Sequence, residues 1–520
     1  MDMAMVTAML AERKCRINTL RFVFLGASIG CLASPAFAGD WKITPMIAVN
    51  ETVTDNVALS NTQKKGDVIS DINPGLRIDG FGGRSKLHFD YQLHNLIYAQ
   101  DSARNRTQNY LNAFGTLEAL ENWLFIDASG VISQQSISAF GGATSGAVNT
   151  NVNNNSTETS TYRLSPYIRG TLGSVAEYQL RYNLSTTNTK SNQAFDSDTR
   201  ELMGTMKGAT ALANLGWSVD ASTQKVTFAN GRSNEADRLR GVATYQIDPQ
   251  FRFSLIGGRE ANDYLTVSKE GHTTKGAGVE WSPTERTQIS ASREDRFFGK
   301  SNNYSFAHRT AGTAWKYSES KDATVLPSQQ SSVGLGTFYD LFFSLFSSAI
   351  PDPVVRGAFV NALLSSSGIS PAAQLQGGFL TSGVTLQHRR EMSFALVGVR
   401  NTVTFAATQT ESQNLSQGAG TGLLVGEDFA VAQNIRQHGA SINWSHNLTA
   451  LSSLTGTFSR LNSTGTGTST LETNQKTMNL NFATQLSPKT NAGLGARRVV
   501  VDGTTNYSEN ALTGVLSHQF

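Results

Sequence analysis

The chain has 520 residues, with 43 basic and 40 acidic side chains and a formal net charge of +3. This balance leaves no strongly basic surface, so we expect no nucleic-acid partner. The length is compatible with several soluble domains or with one large barrel. Composition therefore excludes a partner class but does not choose a fold.

The amino terminus has the pattern of a secretory signal. A positive segment precedes an apolar stretch at residues 22–32, and Ala36, Phe37 and Ala38 form a small-residue cleavage site before Gly39. We predict a cleaved signal at 1–38 and a mature chain of 39–520. Cleavage leaves 39 basic and 38 acidic residues and removes both cysteines, Cys15 and Cys31. Acylation of Cys31 is the competing interpretation, but the residues before it match a lipoprotein signal poorly.

Apolar and polar residues alternate along several segments of the mature chain. In residues 86–94 the apolar side is Leu87, Phe89, Tyr91 and Leu93, and residues 175–184 and 477–486 repeat the pattern. A period of two predicts half-buried β-strands. The polar side would then line a lumen, and its candidate residues are Lys86, His88, Asp90, Gln92, Glu177 and Arg181.

Connectors between these segments come in two kinds that alternate. Short ones such as 121–122 and 282–284 resemble tight turns, and long polar ones include 55–66, 138–157, 185–198, 410–431 and 463–471. No run of about 18 apolar residues follows the signal. The sequence predicts an all-β fold, a closed antiparallel transmembrane β-barrel of about 22 strands (20–24), whose last strand pairs with the first near residues 41–54.

One stretch departs from this alternation. Residues 338–349 and 353–366 carry apolar side chains at helical spacing, separated by Pro351 and Pro353. Each piece is too short to span a bilayer. We predict a small helical insertion at 334–377, which would either constrict the lumen or form a cap at the rim.

The carboxyl-terminal strand ends on an aromatic residue. Leu516, His518 and Phe520 share one face, and such an ending resembles the closing strand and assembly signal of bacterial outer-membrane β-barrels. His518 departs from that pattern, in which an aromatic or aliphatic residue is usual. The resemblance implies contact with the barrel assembly machinery and with outer-membrane lipid.

A further set of motifs lies within 281–319, and its residues are Trp281, Pro283, Arg286, Thr287, Arg296, Phe297, Phe298, Gly299, His308, Arg309 and Trp315. These motifs resemble one family, the outer-membrane β-barrels associated with PEP-CTERM/exosortase systems and exopolysaccharide loci, and shorter matches extend the resemblance over nearly the whole mature chain. The resemblance implies a cell outer-membrane location in a Gram-negative bacterium and a link to polysaccharide production. It also implies polysaccharide or export machinery as a possible partner.

Catalytic chemistry has little sequence support. His88, Asp90 and His94 share a strand face, but the two histidines would lie about 20 Å apart, too far to share a metal. No nucleophile elbow, P-loop or dinucleotide fingerprint is present. We therefore predict no enzyme activity, no cofactor and no metal. The favoured function is a channel or accessory factor for exopolysaccharide export, with a non-conducting scaffold barrel or a general diffusion porin as alternatives.

Overall fold

The computed structural model of the chain describes most of residues 39–520. The described ranges are 39–142, 150–152, 155–191, 196–210, 212, 214–229, 232–324, 336–337, 343, 374–376, 379–381, 383–415, 428–467 and 471–520. The first described residue, Gly39, opens the first strand, so the predicted signal and its residues Ala36 and Ala38 lie outside this part of the chain. The predicted insertion at 334–377 also lies almost wholly outside it.

Long antiparallel strands make up the described residues. They are β1 (Gly39–Thr54), β2 (Asp67–Gly82), β3 (Ser85–Tyr98), β4 (Arg106–Leu120), β5 (Leu124–Ser136), β6 (Ser156–Leu172), β7 (Ala176–Thr189), β8 (Ser197–Ala209), β9 (Leu215–Phe228), β10 (Asn234–Gln246), β11 (Phe251–Asn262), β12 (Glu270–Thr284), β13 (Thr287–Arg296), β14 (Gly299–Arg309), β15 (Thr313–Thr324), β16 (Gly336–Thr337), β17 (Gln374–Gln376), β18 (Thr385–Val397), β19 (Asn401–Asn414), β20 (Ala432–Asn447), β21 (Ser452–Gly467), β22 (Leu471–Ser487), β23 (Thr490–Gly503) and β24 (Tyr507–Gln519). A 3₁₀ turn at Ser102–Arg104 and a helical turn at Asp428–Val431 complete the set.

Twenty-two of these strands form one sheet that closes on itself, and β16 and β17 pair separately. Each sheet strand pairs with its sequence neighbour, and β1 pairs with both β2 and β24. The closing ladder runs from Met46 opposite Gln519 to Thr54 opposite Ala511. The predicted closed antiparallel barrel is confirmed, and so is the pairing of its last strand with its first.

The two ends of the barrel differ in their connections. At one end, here the short-turn end, every described connection has two to five residues. The opposite end, the long-loop end, holds the long connectors 55–66 and 137–155. Four of its connections are nevertheless equally short: 229–233, 297–298, 468–470 and 504–506.

The bounds of several predicted connectors were wrong, because β7 continues to Thr189, β12 to Thr284 and β19 to Asn414. Residues 463–471 were expected to form a loop, yet β21 and β22 stay paired as far as Gly465 opposite Leu471. Alternating Ser, Thr and Gly suits a strand whose two faces are both polar. The polarity of this segment therefore led to the wrong prediction of a loop. The connection between β18 and β19 is a tight turn, in which the Gly398 amide donates to the Asn401 carbonyl over 2.7 Å.

The outer face of the sheet is apolar toward the short-turn end. Leu486 and Leu494 are 62% and 67% exposed there, and the outward residues of the other strands are also mostly aliphatic or aromatic. Leu516 and Phe520 belong to this face, and His518 binds the Thr490 hydroxyl at 2.9 Å. All six tryptophans lie near the short-turn end; they are Trp41, Trp123, Trp217, Trp281, Trp315 and Trp444. We call this ring the tryptophan girdle.

At the long-loop end the barrel is packed by apolar clusters rather than by one central core. One cluster holds Val57, Ile69, Leu96 and Tyr98, and another holds Leu59, Val499, Val501 and Tyr507. The side chains of these clusters point inward near the mouth and supply much of the buried apolar surface. In the described residues, no helix is long and apolar enough to cross a membrane.

Ring closure is reinforced by a buried carboxylate. Glu509 on β24 is 1% exposed and accepts hydrogen bonds from the Thr54 hydroxyl on β1 and from Nη2 of Arg497 on β23, each at 2.9 Å. One side chain thus joins three strands at the seam. Its charge is compensated by Arg497, whose side chain is 19% exposed.

We expect Glu509→Ala to lower the free energy of unfolding by about 3 kcal/mol, because it leaves the Arg497 charge without its buried partner. The measurement is urea unfolding of the refolded barrel, followed by tryptophan fluorescence. Glu177→Ala is the matched control, since Glu177 and Lys207 form a pair that is about two-thirds exposed. The control should change stability by less than about 1 kcal/mol. Equal losses in both variants would contradict a role at the seam.

Candidate functional site

The interior face of the barrel carries the polar residues singled out in the sequence. Asp90 accepts hydrogen bonds from Nε and Nη2 of Arg77 at 3.1 and 2.7 Å, and His88 lies 2.7 Å from Asp79. Gln92 donates to Asp90 at 3.2 Å, while Lys86 is exposed. Asp90 and His88 thus form cross-strand pairs with residues of β2, and these candidates do not converge on one site.

The other two candidates lie on β7. Arg181 binds Asp127 at 2.7 Å, and its guanidinium stacks 3.9 Å from the ring centre of Tyr167. Glu177 pairs with Lys207 at 3.0 Å. Leu180 and Tyr182, on the opposite face of the same strand, are exposed, so the alternation places the charges inward.

The histidines on β3 do not share a ligand. His94 lies 3.0 Å from Asp71, which also accepts a hydrogen bond from the Asn50 amide at 3.1 Å. Each histidine therefore faces a carboxylate of its own on β2. In the described part of the chain, no group of three or more His, Cys, Asp or Glu side chains is arranged to hold a metal ion.

A denser charged surface lies on the interior wall of β8–β15. Glu294 is buried and accepts from Arg238 at 3.0 Å and from Arg240 at 3.1 Å. Asp220 lies 3.9 Å from Arg240. These groups border a recess of about 390 Å³ that Ser292, Ser301 and Asn303 also line. The wall offers guanidinium, carboxylate and hydroxyl groups side by side, which is a hydrated surface suited to polar solutes.

Arg296 is the most heavily paired cation of this wall. Its Nε and Nη2 donate to Oε2 of Glu260 at 3.0 and 2.7 Å, and its Nη1 donates to Asp322 at 2.5 Å. Arg296 is 8% exposed and Glu260 3%. Oε1 of Glu260 accepts the Phe297 amide at 2.8 Å. This network, the Arg296 hub, joins β11, β13 and β15.

The motif around Arg296 is a turn. Phe297 and Phe298 are the whole connection between β13 and β14, and Gly299 has a φ of +97°, which a side chain would strain. Phe297 packs on Tyr264, with ring centres 5.6 Å apart, against the cluster of Val226, Phe228 and Val384. Because the turn is tight, the rings of Phe297 and Phe298 both pack against that cluster.

The remaining motif residues lie at the short-turn end. Pro283 occupies a register shift between Trp281 and Thr284, where a ladder donor is not needed. The Thr287 hydroxyl binds His308 at 2.9 Å, and the Arg309 amide donates to the Arg286 carbonyl at 3.0 Å. Trp315 packs on Phe394 with ring centres 4.0 Å apart. In this part of the barrel, the motif serves turns and the tryptophan girdle.

The start of the connector predicted at 138–157 crosses the mouth at the long-loop end, which the sequence did not indicate. Residues 137–142, here the mouth strap, follow β5, yet the Phe140 carbonyl accepts the hydroxyls of Thr473 and Thr505, each at 3.1 Å. Thr473 belongs to β22, which lies seven strands from β5 around the ring. Phe140 itself packs with Phe379, Phe429, Ala432 and Ile435.

A buried carboxylate fastens the mouth strap. Asp428 accepts the Ser138 hydroxyl at 2.6 Å and the Ala139 amide at 2.7 Å. Burial raises the pKa of Asp428 to about 6, although both hydrogen bonds act to lower it. The sequence signals were a lone acidic pair, 427–428, and a phenylalanine in a Gly- and Ser-rich loop, and neither indicates a contact across the mouth.

We expect Arg296→Met to lower the free energy of unfolding by about 3 kcal/mol, because Glu260 stays buried without its cation. Combining it with Glu260→Gln should restore part of the loss, and a double-mutant cycle in urea measures the coupling. Arg252→Met is the control, since its pair with Glu280 is at least half exposed and 3.7 Å long. Simple additivity of the two changes would contradict the hub.

No protein-family model and no curated protein sequence matches the chain. Among solved structures it is similar to the FrpB iron transporter of Neisseria meningitidis (F5-1 variant), at 10% identity and a TM-score of 0.49, over 92% of this chain and 81% of that one. It is also similar to the siderophore receptor PirA of Acinetobacter baumannii, at 7% identity and a TM-score of 0.46, over 92% and 80%. The siderophore receptor PirA of Pseudomonas aeruginosa is similar at 9% identity and a TM-score of 0.37, over 92% of this chain and 80% of that one. At these values the likeness is one of barrel architecture and carries no functional conclusion.

Proposed function

We propose that this chain is an integral outer-membrane β-barrel that passes a polar solute through its lumen. The observation that carries the proposal is the contrast between the two faces of one closed sheet. The outer face is aliphatic and aromatic toward the tryptophan girdle, as a lipid-facing surface is, while the inner face is charged and hydroxylated. Closure satisfies the backbone polar groups that lipid could not.

The finer proposal is that the solute is a glycan of an exopolysaccharide export system. Its support is the motif resemblance together with an inner wall whose ion pairs and hydroxyls present both donors and acceptors, as at Arg240, Glu294 and Ser301. A hydroxyl-rich chain could exchange hydrogen bonds along such a wall. The proposed role needs neither a cofactor nor a catalytic group.

The mouth strap favours a second candidate, a scaffold barrel that does not conduct. Phe140 is 3% exposed and ties the strap to the far side of the ring, so the strap narrows the long-loop end. A permanently held strap would make the barrel a surface platform for polysaccharide or for a sorted protein. A releasable strap would make it a gate.

Single-channel recording in planar bilayers separates these functions. We expect low open probability for the wild type and a marked rise for Phe140→Ala, because the truncation removes about 3 kcal/mol or more of packing from the strap. Phe228→Ala is the matched control, since Phe228 is also 3% exposed at the same end but belongs to another cluster. Its openings should stay as in the wild type. If no variant conducts, the scaffold function replaces the channel.

The strap should also respond to pH. Because its closed form holds Asp428 at a pKa of about 6, against an ordinary 3.8, closing takes up a proton between those values. The contribution to closure is complete below about pH 4 and is lost as the pH rises through about 6, by up to about 3 kcal/mol. We expect more frequent openings at about pH 8 than at about pH 5. Asp428→Asn should remove most of this dependence, and an unchanged pH profile in that variant would contradict it.

A further inference from the structure

A recess of about 540 Å³ lies on the outer face of the barrel, across β15 and β18–β21. The outward side chains that line it include Tyr317, Arg390, Met392, Gln409, His438 and Arg460. It lies where the apolar outer face ends, because Phe458, two residues before Arg460 on the same strand, is still an exposed apolar residue. Nothing in the proposed channel function uses this surface.

The recess is lined by hydrogen-bond donors of positive charge. Arg390 Nε is 3.4 Å from Glu319, but Glu319 also binds His388 at 2.7 Å and the Tyr317 hydroxyl at 2.7 Å. One carboxylate is thus shared among several donors. Arg460 donates to the Asn474 amide oxygen at 3.0 Å and brings a second guanidinium to the recess. The planar fork of donors on a guanidinium suits phosphate oxygens.

The strand register is a second, independent indication that an anion binds here. Arg460 on β21 lies directly opposite Lys476 on β22, and both side chains are exposed on the outer face. Like charges at directly opposite positions destabilise a sheet. Arg498 follows on β23, opposite Met478, and extends the cationic row. A bound anion between these residues would turn the repulsion into an attraction.

The apolar side of the recess shows what kind of anion fits. Met392, Ala407 and Ala440 line it on the side toward the short-turn end. Below them on the same strands, exposed Phe405 and Ile442 continue as an apolar strip toward the tryptophan girdle. A free inorganic ion would use only the upper, cationic part. A molecule with an anionic head and a hydrocarbon tail would use both.

We propose that this recess binds the phosphate headgroup of an anionic membrane lipid, with an acyl chain lying along the apolar strip. Arg390, His438 and Arg460 hold the phosphate, and Lys476 adds charge at its edge. The proposal rests on the proposed membrane location and is independent of whether the lumen conducts. It makes the outer face of β15–β22 a lipid-specific surface rather than a uniform one.

The test is a titration of the refolded mature chain in neutral detergent with dihexanoylphosphatidylglycerol, with bound lipid counted by native mass spectrometry. We expect tighter binding of this lipid than of dihexanoylphosphatidylcholine. Arg460→Gln/Lys476→Gln should weaken it about tenfold or more. Lys225→Gln/Lys269→Gln is the matched control, because it removes the same charge from cations that pair with Glu235 and Asp237 at 2.8 Å. Arg460→Lys, which keeps the charge, should retain most of the binding and covers the case in which the double variant fails to fold.

Three results would overturn the site. One is equal binding of the two lipids, and another is an equal loss in the control variant. The third is displacement by inorganic phosphate at the same concentration as the lipid, which would show a free-ion site. Flotation of the chain with vesicles is recorded in parallel. Flotation without lipid selectivity would refute the headgroup site alone, whereas failure to float would refute the membrane location.

Discussion

The interaction on which the structure depends is the ladder between β1 and β24. A 22-stranded sheet that remained open would expose two long edges, and closing it removes both. Closure also gives the sheet an inside and an outside. Because side chains alternate along each strand, they then point either into the lumen or outward. Glu509 connects this seam to charge pairing, since its carboxylate joins β23, β24 and β1. The pairing of the ends and the polarity of the lumen are therefore parts of one constraint.

The inner surface follows from that constraint. Charges that point into the ring near the long-loop end lose water on most sides, so they are kept only where a partner lies on an adjacent or nearby strand. Glu294 has two arginines of β10, and Glu260 has Arg296 and the Phe297 amide. Such pairs add little net stability compared with apolar packing, but loss of one partner is costly. They hold neighbouring strands in register and leave a wet, polar wall at the same time.

Much of the fold could be predicted from local patterns, because a closed barrel repeats one rule. Alternation in 86–94 and 175–184 places Asp90 and Arg181 inward and Leu93 and Leu180 outward, and the tight connections near Trp281 and Trp315 follow from turn chemistry. The failures were of two kinds. Segments such as 463–471 are polar on both faces, so polarity could not distinguish strand from loop. The mouth strap depends on contacts between Phe140 and residues more than 300 positions away, which no local window contains.

The outer surface shows that the barrel is not uniform around its axis. Toward the short-turn end every tryptophan lies in one girdle, whereas the row of Arg460, Lys476 and Arg498 lies on the other side of the apolar band. A ring of strands alone would tolerate any exposed polar residue beyond that band. Here cations lie opposite each other beside a recess that is apolar toward the short-turn end. Opposed like charges destabilise a sheet, so solubility alone does not account for them. Lys476, at the edge of this recess, is three residues from Thr473, the strap's anchor on β22, so lipid bound outside β18–β22 would brace the strands that hold this anchor. The lipid face and the mouth would then be mechanically connected through β22.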